Sequence, residues 1–297
     1  MNSRVFHQST PPVGRITDAH VHLWDPVRLR YNWLASVPSI AHAHELADYA
    51  KATGEVPVAS RVFVQCECDP AQARNEVTWV ESMPGIDAIV AYAPLQTGNG
   101  CAADLAWLAL QPKVRGVRRN LQGERDPDFC LRPDFIDGVR ALAAHRFTFD
   151  LCLRPDQLPA ATRLVELCPK VTFVLDHLGK PAIKDRLLEP WSTHLLDLAR
   201  LPNVVAKISG LVTEAAPAAW TPDDLRPYVE HAIACFGWDR VLFGGDWPVV
   251  DLAGGYSRWI AALSELTATA SPSQLDALFH KNADRIYQLT SLGAKLI

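Results

Sequence analysis

The chain of 297 residues has no long apolar run and no excess of positive charge. Because no stretch of 18 apolar residues occurs, the sequence predicts no transmembrane helix. Lysine and arginine together number 29 against 33 acidic residues, and the net charge of −4 argues against nucleic acid or an anionic membrane as a partner. Residues 1–15 have neither an apolar core nor a small-residue cleavage site, so we expect no signal peptide and a cytoplasmic protein.

Several catalytic and cofactor motifs are also missing. No Gly-x-Gly-x-x-Gly follows the first predicted strand, which disfavours a doubly wound dinucleotide-binding sheet. No Gly-x-Ser-x-Gly elbow is present, which weakens any mechanism through an acyl-enzyme. The seven cysteines are odd in number and lack the regular spacing of a disulfide framework, so buried thiols in a reducing compartment are the simpler interpretation.

What the chain does contain is a regular alternation of β-rich and helical segments. Apolar, β-branched stretches recur about every thirty residues and are separated by helical patterns. They cover residues 17–24, 60–67, 88–94, 114–120, 147–152, 171–177, 203–210 and 240–246. Eight such units predict an α/β fold, a (β/α)₈ TIM barrel. No linker divides the chain, so we expect an N-terminal tail over 1–15 and a single domain over 16–297.

The first predicted strand carries the pattern Asp-x-His-x-His. Side chains of a strand alternate between faces, so Asp18, His20 and His22 are predicted to share one face, opposite Ala19 and Val21. Two imidazoles so close can hold a metal ion or the carbonyl of a substrate. The alternative is a pair of solvated histidines at a sheet edge.

Other predicted strands also end in polar side chains. In a TIM barrel the C-terminal strand ends form the active site, so these groups are predicted to converge on one pocket. They are His20, His22, Gln65, Glu67, Arg118, His177, Lys207 and Asp246. The remaining histidines are interpreted as surface groups: His7, His42, His44, His145, His194, His231 and His280.

Roles follow from the chemistry of each group. Asp246, in Phe-Gly-Gly-Asp-Trp-Pro, is the candidate general base. Lys180 and Lys207 are candidates to hold a substrate carboxylate or to polarise a carbonyl. Arg115 and Arg118 fall on opposite faces of the fourth strand, and Arg118 is the better candidate because it is nearer the C-terminal end.

Five motifs resemble the amidohydrolase superfamily, and in particular its amidohydrolase-2 branch. They begin Asp18-Ala19-His20, Gly116-Val117-Arg118, Asp176-His177-Leu178, Gly244-Gly245-Asp246 and Asn282-Ala283, and they span nearly the whole chain. The branch contains L-fuconolactonase, L-rhamnonolactonase and 2-pyrone-4,6-dicarboxylate lactonase. The resemblance implies an amidohydrolase-type barrel and a carboxylic ester hydrolase of carbohydrate metabolism.

The resemblance implies that the enzyme opens the ring ester of a sugar-acid or related carboxylated lactone. Asp246 is then the base, and His20, His22 and His177 are further catalytic groups. Gln65, Arg118, Lys180, Lys207 and Trp33 are the expected substrate-binding residues.

The strand-four lysine or glutamate and the strand-five histidine of metal-rich relatives are absent, which disfavours a two-metal centre. We expect no required cofactor, or a single divalent ion such as zinc on His20, His22, His177 and Asp246. Two other hypotheses remain: a metal-dependent non-oxidative decarboxylase of the same branch, and a non-catalytic binding barrel. The sequence leaves the lactone and the oligomeric state open.

Overall fold

A computed structural model describes residues 13–289 of the chain. It contains eight strands, whose order in the sheet follows the order of the sequence, and neighbouring strands pair in parallel. The strands are β1 Ile16–Val21, β2 Val58–Val64, β3 Ala88–Ala91, β4 Val114–Val117, β5 Thr148–Leu151, β6 Phe173–Leu175, β7 Val204–Ile208 and β8 Val241–Phe243. The predicted TIM barrel is confirmed, and each predicted strand is present in a shorter form.

Helices follow the strands and cover the outside of the barrel. They are α1 Leu46–Thr53, α2 Ala73–Glu81, α3 Ala102–Ala109, α4 Pro133–His145, α5 Leu158–Leu167, α6 Trp191–Ala199, α7 Leu211–Glu214, α8 Pro222–Phe236, α9 Tyr256–Leu266, α10 Pro272–Asp276 and α11 Asn282–Ile286. Between residues 13 and 289, no helix combines the length and the apolar character that crossing a membrane requires. Residues 1–12 of the predicted tail and residues 290–297 lie outside the described residues.

The barrel closes through the backbone just beyond β8. The Asp246 N–H donates to the carbonyl of His20 at 2.8 Å, and the His22 N–H donates to the carbonyl of Trp247 at 2.8 Å. These bonds join the chain after β8 to the end of β1. Closure of the barrel therefore brings Asp246 beside the two histidines of the first strand.

A β-bulge in β1 changes which side chains face the barrel axis. Asp18 pairs with Arg61 and Val21 with Phe63, so three steps along β1 match two along β2. Ala19 consequently packs among the small apolar side chains inside the barrel. The prediction that Asp18 shares a face with His20 is therefore wrong. Asp18 faces the outer helices, where the hydroxyls of Tyr49 and Tyr256 donate to its Oδ2 at 2.8 and 2.9 Å.

The segment before α1 shows why two sequence interpretations failed. The helical pattern in the sequence predicts a helix from around His42 to Thr53. Helix α1 begins only at Leu46, because His44 forms an antiparallel bridge with Trp24 through two backbone hydrogen bonds. His44 is also buried, against the rings of Trp24 and Trp247, and is not the predicted surface group. The contact that decided both points is remote in sequence, and no local pattern signals it.

Candidate active site

A cavity of about 320 Å³ opens at the C-terminal ends of the strands. Its lining joins aromatic side chains, neutral polar groups and four charged groups. The lining residues are His22, Trp24, Trp33, Ser36, Cys66, Glu67, Arg118, Asn120, Gln122, Cys152, His177, Lys180, Thr213, Asp246 and Val249. Six of the residues predicted to form the site lie in this wall besides Trp33, namely His22, Glu67, Arg118, His177, Lys180 and Asp246.

Three imidazoles surround one oxygen of Asp246. Oδ1 of Asp246 lies 3.6 Å from Nε2 of His22, 3.7 Å from Nε2 of His20 and 3.9 Å from Nε2 of His177. The two Nε2 atoms of His20 and His22 are 3.2 Å apart. All four side chains are buried, and His20 is fully buried behind the cavity wall. The structure therefore brings the four predicted catalytic residues together.

Backbone geometry at the strand ends aims these side chains into the cavity. Glu67, His177, Lys180 and Asp246 have positive φ angles between 54° and 57°. Such conformations cost energy in residues other than glycine, and they cluster at functional sites. Half of the eight described non-glycine residues with positive φ line this one cavity.

Asp18 anchors the loop that carries Asp246. Its Oδ1 accepts the N–H of Gly245 at 2.7 Å. A Cβ at Gly245 would lie 2.2 Å from the Tyr256 ring and 2.5 Å from Asp18 Oδ2, so only glycine allows this approach. Asp18, which faces away from the imidazoles, thus supports the site from outside.

Burial sets the protonation of the Asp246 carboxyl group and of the three imidazoles around it. Burial raises the pKa of Asp246 to about 7, although Lys180 and Arg118 oppose the shift. Burial lowers the pKa of His22 to about 3, and it lowers the pKa values of His20 and His177 well below their usual range. The imidazoles are therefore neutral at physiological pH, and Asp246 can take up and release a proton there.

Beneath the cavity lies a fully buried ionic cluster of Lys207, Asp150, Asp176 and Tyr287. Lys207 Nζ is 2.6 Å from Asp150 Oδ2 and 3.0 Å from Asp176 Oδ1. The Tyr287 hydroxyl donates to Asp150 Oδ2 at 3.0 Å. Lys207 does not line the cavity, and its ammonium is already surrounded by acceptors. The substrate-binding role predicted for Lys207 therefore does not fit its position.

Arg118 connects the cavity with this ionic cluster. Its guanidinium donates to Asp176 Oδ2 at 3.3 Å and to the carbonyl of Gln65 at 2.5 Å. Burial by itself would raise the pKa of Asp176, but Lys207, His20 and Arg118 together lower it well below its usual range. Asp176 is therefore a permanent anion.

The remaining predicted binding residues divide into two groups. Lys180 and Trp33 lie in the cavity wall, where Lys180 Nζ is 3.5 Å from Glu214 and the Trp33 N–H donates to the carbonyl of Cys66 at 2.8 Å. Gln65 is buried outside the wall, and its Oε1 accepts the N–H of Glu67 at 2.6 Å. Direct contact of Gln65 with substrate is therefore not favoured by its position.

Sequence reasoning missed Asp176, although a signal for it was present. It precedes His177 in the sequence and is two residues beyond Val174, which faces the barrel interior. Alternation along β6 therefore directs Asp176 to the same interior as Lys207. Among the other wall residues, Ser36 and Gln122 lie outside the strands and Thr213 lies in the short helix α7, so strand alternation gave no such signal for them.

The donor set fits one divalent ion. Ligand atoms of a tetrahedral zinc site lie about 3.3 Å apart, close to the separations among His20, His22 and Asp246. One ligand atom from each of His20, His177 and Asp246 also lies within 4.8 Å of the others. A second group, Cys152, Asp176 and His177, is equally compact, but the cations of Lys207 and Arg118 already neutralise its carboxylate.

Comparison with known proteins places these residues in a family context. The family described as Amidohydrolase matches residues 17–289. The L-fucono-1,5-lactonase of Burkholderia ambifaria is 32% identical over 279 residues, which cover 92% of this chain and 95% of the relative. The L-rhamnono-gamma-lactonase of Scheffersomyces stipitis is 21% identical and covers 69% of both chains.

Among solved structures, an amidohydrolase from Burkholderia multivorans with bound zinc superposes with a TM-score of 0.84. Its sequence identity is 28%, and the match covers 92% of this chain and 99% of that chain. The family prediction, and with it the prediction of a hydrolase, is confirmed. The chain belongs to the amidohydrolase family.

Proposed function

We propose that this enzyme hydrolyses the ring ester of a sugar-acid or related carboxylated lactone, with Asp246 as the general base. The observation that carries the proposal is the buried Asp246 carboxylate, surrounded by three imidazole nitrogens at 3.6–3.9 Å in the cavity wall. The named lactonase relatives support lactone hydrolysis as the reaction class.

In the proposed mechanism, Asp246 first removes a proton from a water molecule in the cavity. His22 directs its Nε2 lone pair towards this region, because its Nδ1–H donates to the carbonyl of Val64 at 2.8 Å. Nε2 of His22 therefore has no proton to donate to Asp246, and the carboxylate stays free to accept the proton of the water. Asp246, once protonated, returns the proton to the alkoxide that leaves when the ring opens.

Charge on the former carbonyl oxygen is stabilised by Arg118 and His177. Arg118 brings a positive charge into the cavity wall. His177 bonds through Nδ1 to the hydroxyl of Ser209 at 2.9 Å, and with Ser209 as donor its Nε2–H is available to the oxyanion. A divalent ion held by His20, His22, His177 and Asp246, when bound, would supply Lewis-acid polarisation of the carbonyl.

The cavity wall favours a polar substrate of moderate size. Trp33 and Trp24 offer apolar faces to a ring, whereas Asn120, Gln122 and Ser36 offer hydrogen-bonding groups. Lys180 is the candidate cation for a substrate carboxylate.

The experiment is a pH-indicator screen of lactones in which ring opening releases acid. The panel contains L-fucono-1,5-lactone, L-rhamnono-γ-lactone and 2-pyrone-4,6-dicarboxylate, and zinc content is measured on the same sample. We expect hydrolysis of at least one lactone by the wild type and its loss in Asp246→Asn. Carbon dioxide release from a hydroxybenzoate without any lactone hydrolysis would replace the proposal with the decarboxylase alternative.

A further inference from the structure

His20 has neighbours at both ring nitrogens. Its Nδ1 lies 3.3 Å from Lys207 Nζ and 3.3 Å from Asp176 Oδ1. Its Nε2 lies 3.2 Å from His22 Nε2 and 3.5 Å from a terminal nitrogen of Arg118. The ring is fully buried, so these neighbours, and not bulk water, decide which nitrogen carries the proton of the neutral imidazole.

His22 determines the protonation that is favourable at Nε2 of His20. The carbonyl of Val64 can only accept, so Nδ1 of His22 must carry its proton and Nε2 must present a lone pair. That lone pair faces Nε2 of His20 at 3.2 Å. Two unprotonated nitrogens at this distance repel each other, so a proton on Nε2 of His20 gives the favourable arrangement.

Lys207 determines the protonation that is favourable at Nδ1 of His20. An ammonium can only donate, and Lys207 directs a hydrogen bond at Nδ1 of His20. Asp176 Oδ1 is equally close to Nδ1 but receives no well-directed hydrogen bond. Arg118, which would prefer a lone pair on Nε2, makes the longest of the four contacts, and the same nitrogen also donates to Asp176 Oδ2.

We propose that Lys207 holds His20 in the tautomer with the proton on Nε2 and thereby opposes metal binding at the histidine cluster. A metal ion needs the Nε2 lone pair, which places the proton of His20 on Nδ1, opposite the Lys207 ammonium. Lys207 is a positioning residue in this proposal, because it acts through His20. The proposal stands independently of the reaction that the enzyme catalyses.

The first test uses the wild-type protein without metal. Nitrogen-15 NMR of labelled histidine distinguishes protonated from unprotonated ring nitrogens, and the His20 signals are assigned by their loss in His20→Gln. We expect a protonated Nε2 and an unprotonated Nδ1 for His20, and the reverse pattern for His22. A protonated Nδ1 at His20 would overturn the proposal without any change to Lys207.

The second test measures zinc affinity by competition with a chelating dye. Lys207→Met alone would leave two buried carboxylates without their shared cation. The test therefore uses the double variant Lys207→Met/Asp150→Asn, and the single variant Asp150→Asn is its reference. In the double variant, a proton on Nδ1 of His20 no longer faces an ammonium, and the carboxylate oxygen Oδ1 of Asp176 lies 3.3 Å away. Partners of metal-bound histidines change affinity by about 10–100-fold, and we expect a gain of at least about tenfold.

The matched control is Lys180→Met, which removes a positive charge near Asp246 without touching His20. We expect the His20 tautomer to remain unchanged in this control and the gain in zinc affinity to be smaller. The gain in zinc affinity of Lys180→Met over the wild type could equal the gain of the double variant over Asp150→Asn. That result would show an effect of charge alone and would overturn the role of the tautomer.

Discussion

Asp176 and Asp246 are both buried at the C-terminal end of the barrel, yet their surroundings give them opposite properties. Asp176 has Lys207 and Arg118 within 3.3 Å, and its pKa falls well below the usual range. Asp246 has neutral imidazoles as its neighbours, and burial raises its pKa to about 7. Paired cations make one carboxylate a fixed structural charge, whereas their absence leaves the other able to exchange protons.

The same difference separates the two lysines that the sequence predicted for the site, Lys180 and Lys207. Lys207 is fully buried among Asp150, Asp176 and His20, whereas Lys180 remains partly exposed beside Glu214. A buried ion pair becomes costly when one partner is lost, and an exposed pair contributes little. Position within the barrel, and not residue type, therefore separates a charge buried in the ionic cluster from a charge that lines the cavity.

The largest expected effect on activity follows substitution of Asp246, the carboxylate that we propose exchanges protons. Asp246→Asn should lower kcat/KM by about 10³-fold or more, because an amide cannot accept the proton of water. Steady-state kinetics on the lactone found in the screen provide the measurement. Asp251→Asn, in the same loop but outside the cavity wall, is the matched control. Full activity in Asp246→Asn would remove the residue from the mechanism.

The next effect concerns stability of the ionic cluster. Lys207→Met should lower the free energy of unfolding by about 3–5 kcal/mol, because it leaves Asp150 and Asp176 buried without their cation. Lys180→Met should lower it by less than about 1 kcal/mol. Urea unfolding followed by tryptophan fluorescence compares them, and similar losses for both variants would break the distinction between the two lysines.

A third buried carboxylate, Glu76, extends the comparison to pH. Glu76 accepts the N–H of Cys66 at 3.1 Å, and within residues 13–289 it forms no ion pair. Burial raises its pKa to about 7. The folded state thus binds more protons than the unfolded state between about pH 4.5 and 7, so this contribution to stability is present at low pH and is lost as pH rises through about 7.

Glu76→Gln keeps the acceptor and removes the charge. Relative to this variant, the wild type should lose up to about 3 kcal/mol of unfolding free energy between pH 4.5 and 8. Urea unfolding of both proteins at several pH values provides the measurement. Parallel pH profiles for the two proteins would contradict the raised pKa of Glu76.

The smallest expected effect follows substitution of Trp33 in the aromatic part of the cavity wall. Trp33→Ala should raise KM by about 2–10-fold, because the ring supplies contact area to the substrate and takes no part in proton transfer. Trp33→Phe keeps an aromatic face and should restore most of the affinity. A change in kcat with constant KM would place Trp33 in the chemistry instead of in binding.

The sequence by itself determined the barrel and the grouping of the strand-end residues. Eight apolar segments alternating with helical patterns can bury both faces of a parallel sheet only beneath surrounding helices. The C-terminal strand ends must then meet at one mouth, so His22, Arg118, His177 and Asp246 were found from their places at those ends.

Only the tertiary structure decided which polar groups reach the cavity. The bulge in β1 turned Asp18 outward, and the pairing of Lys207 with Asp150 and Asp176 holds its ammonium outside the cavity wall. Both outcomes depend on partners that lie far away in the chain. Local alternation gives the face on which a side chain lies, whereas the charge and hydrogen-bonding groups opposite it decide what that side chain does.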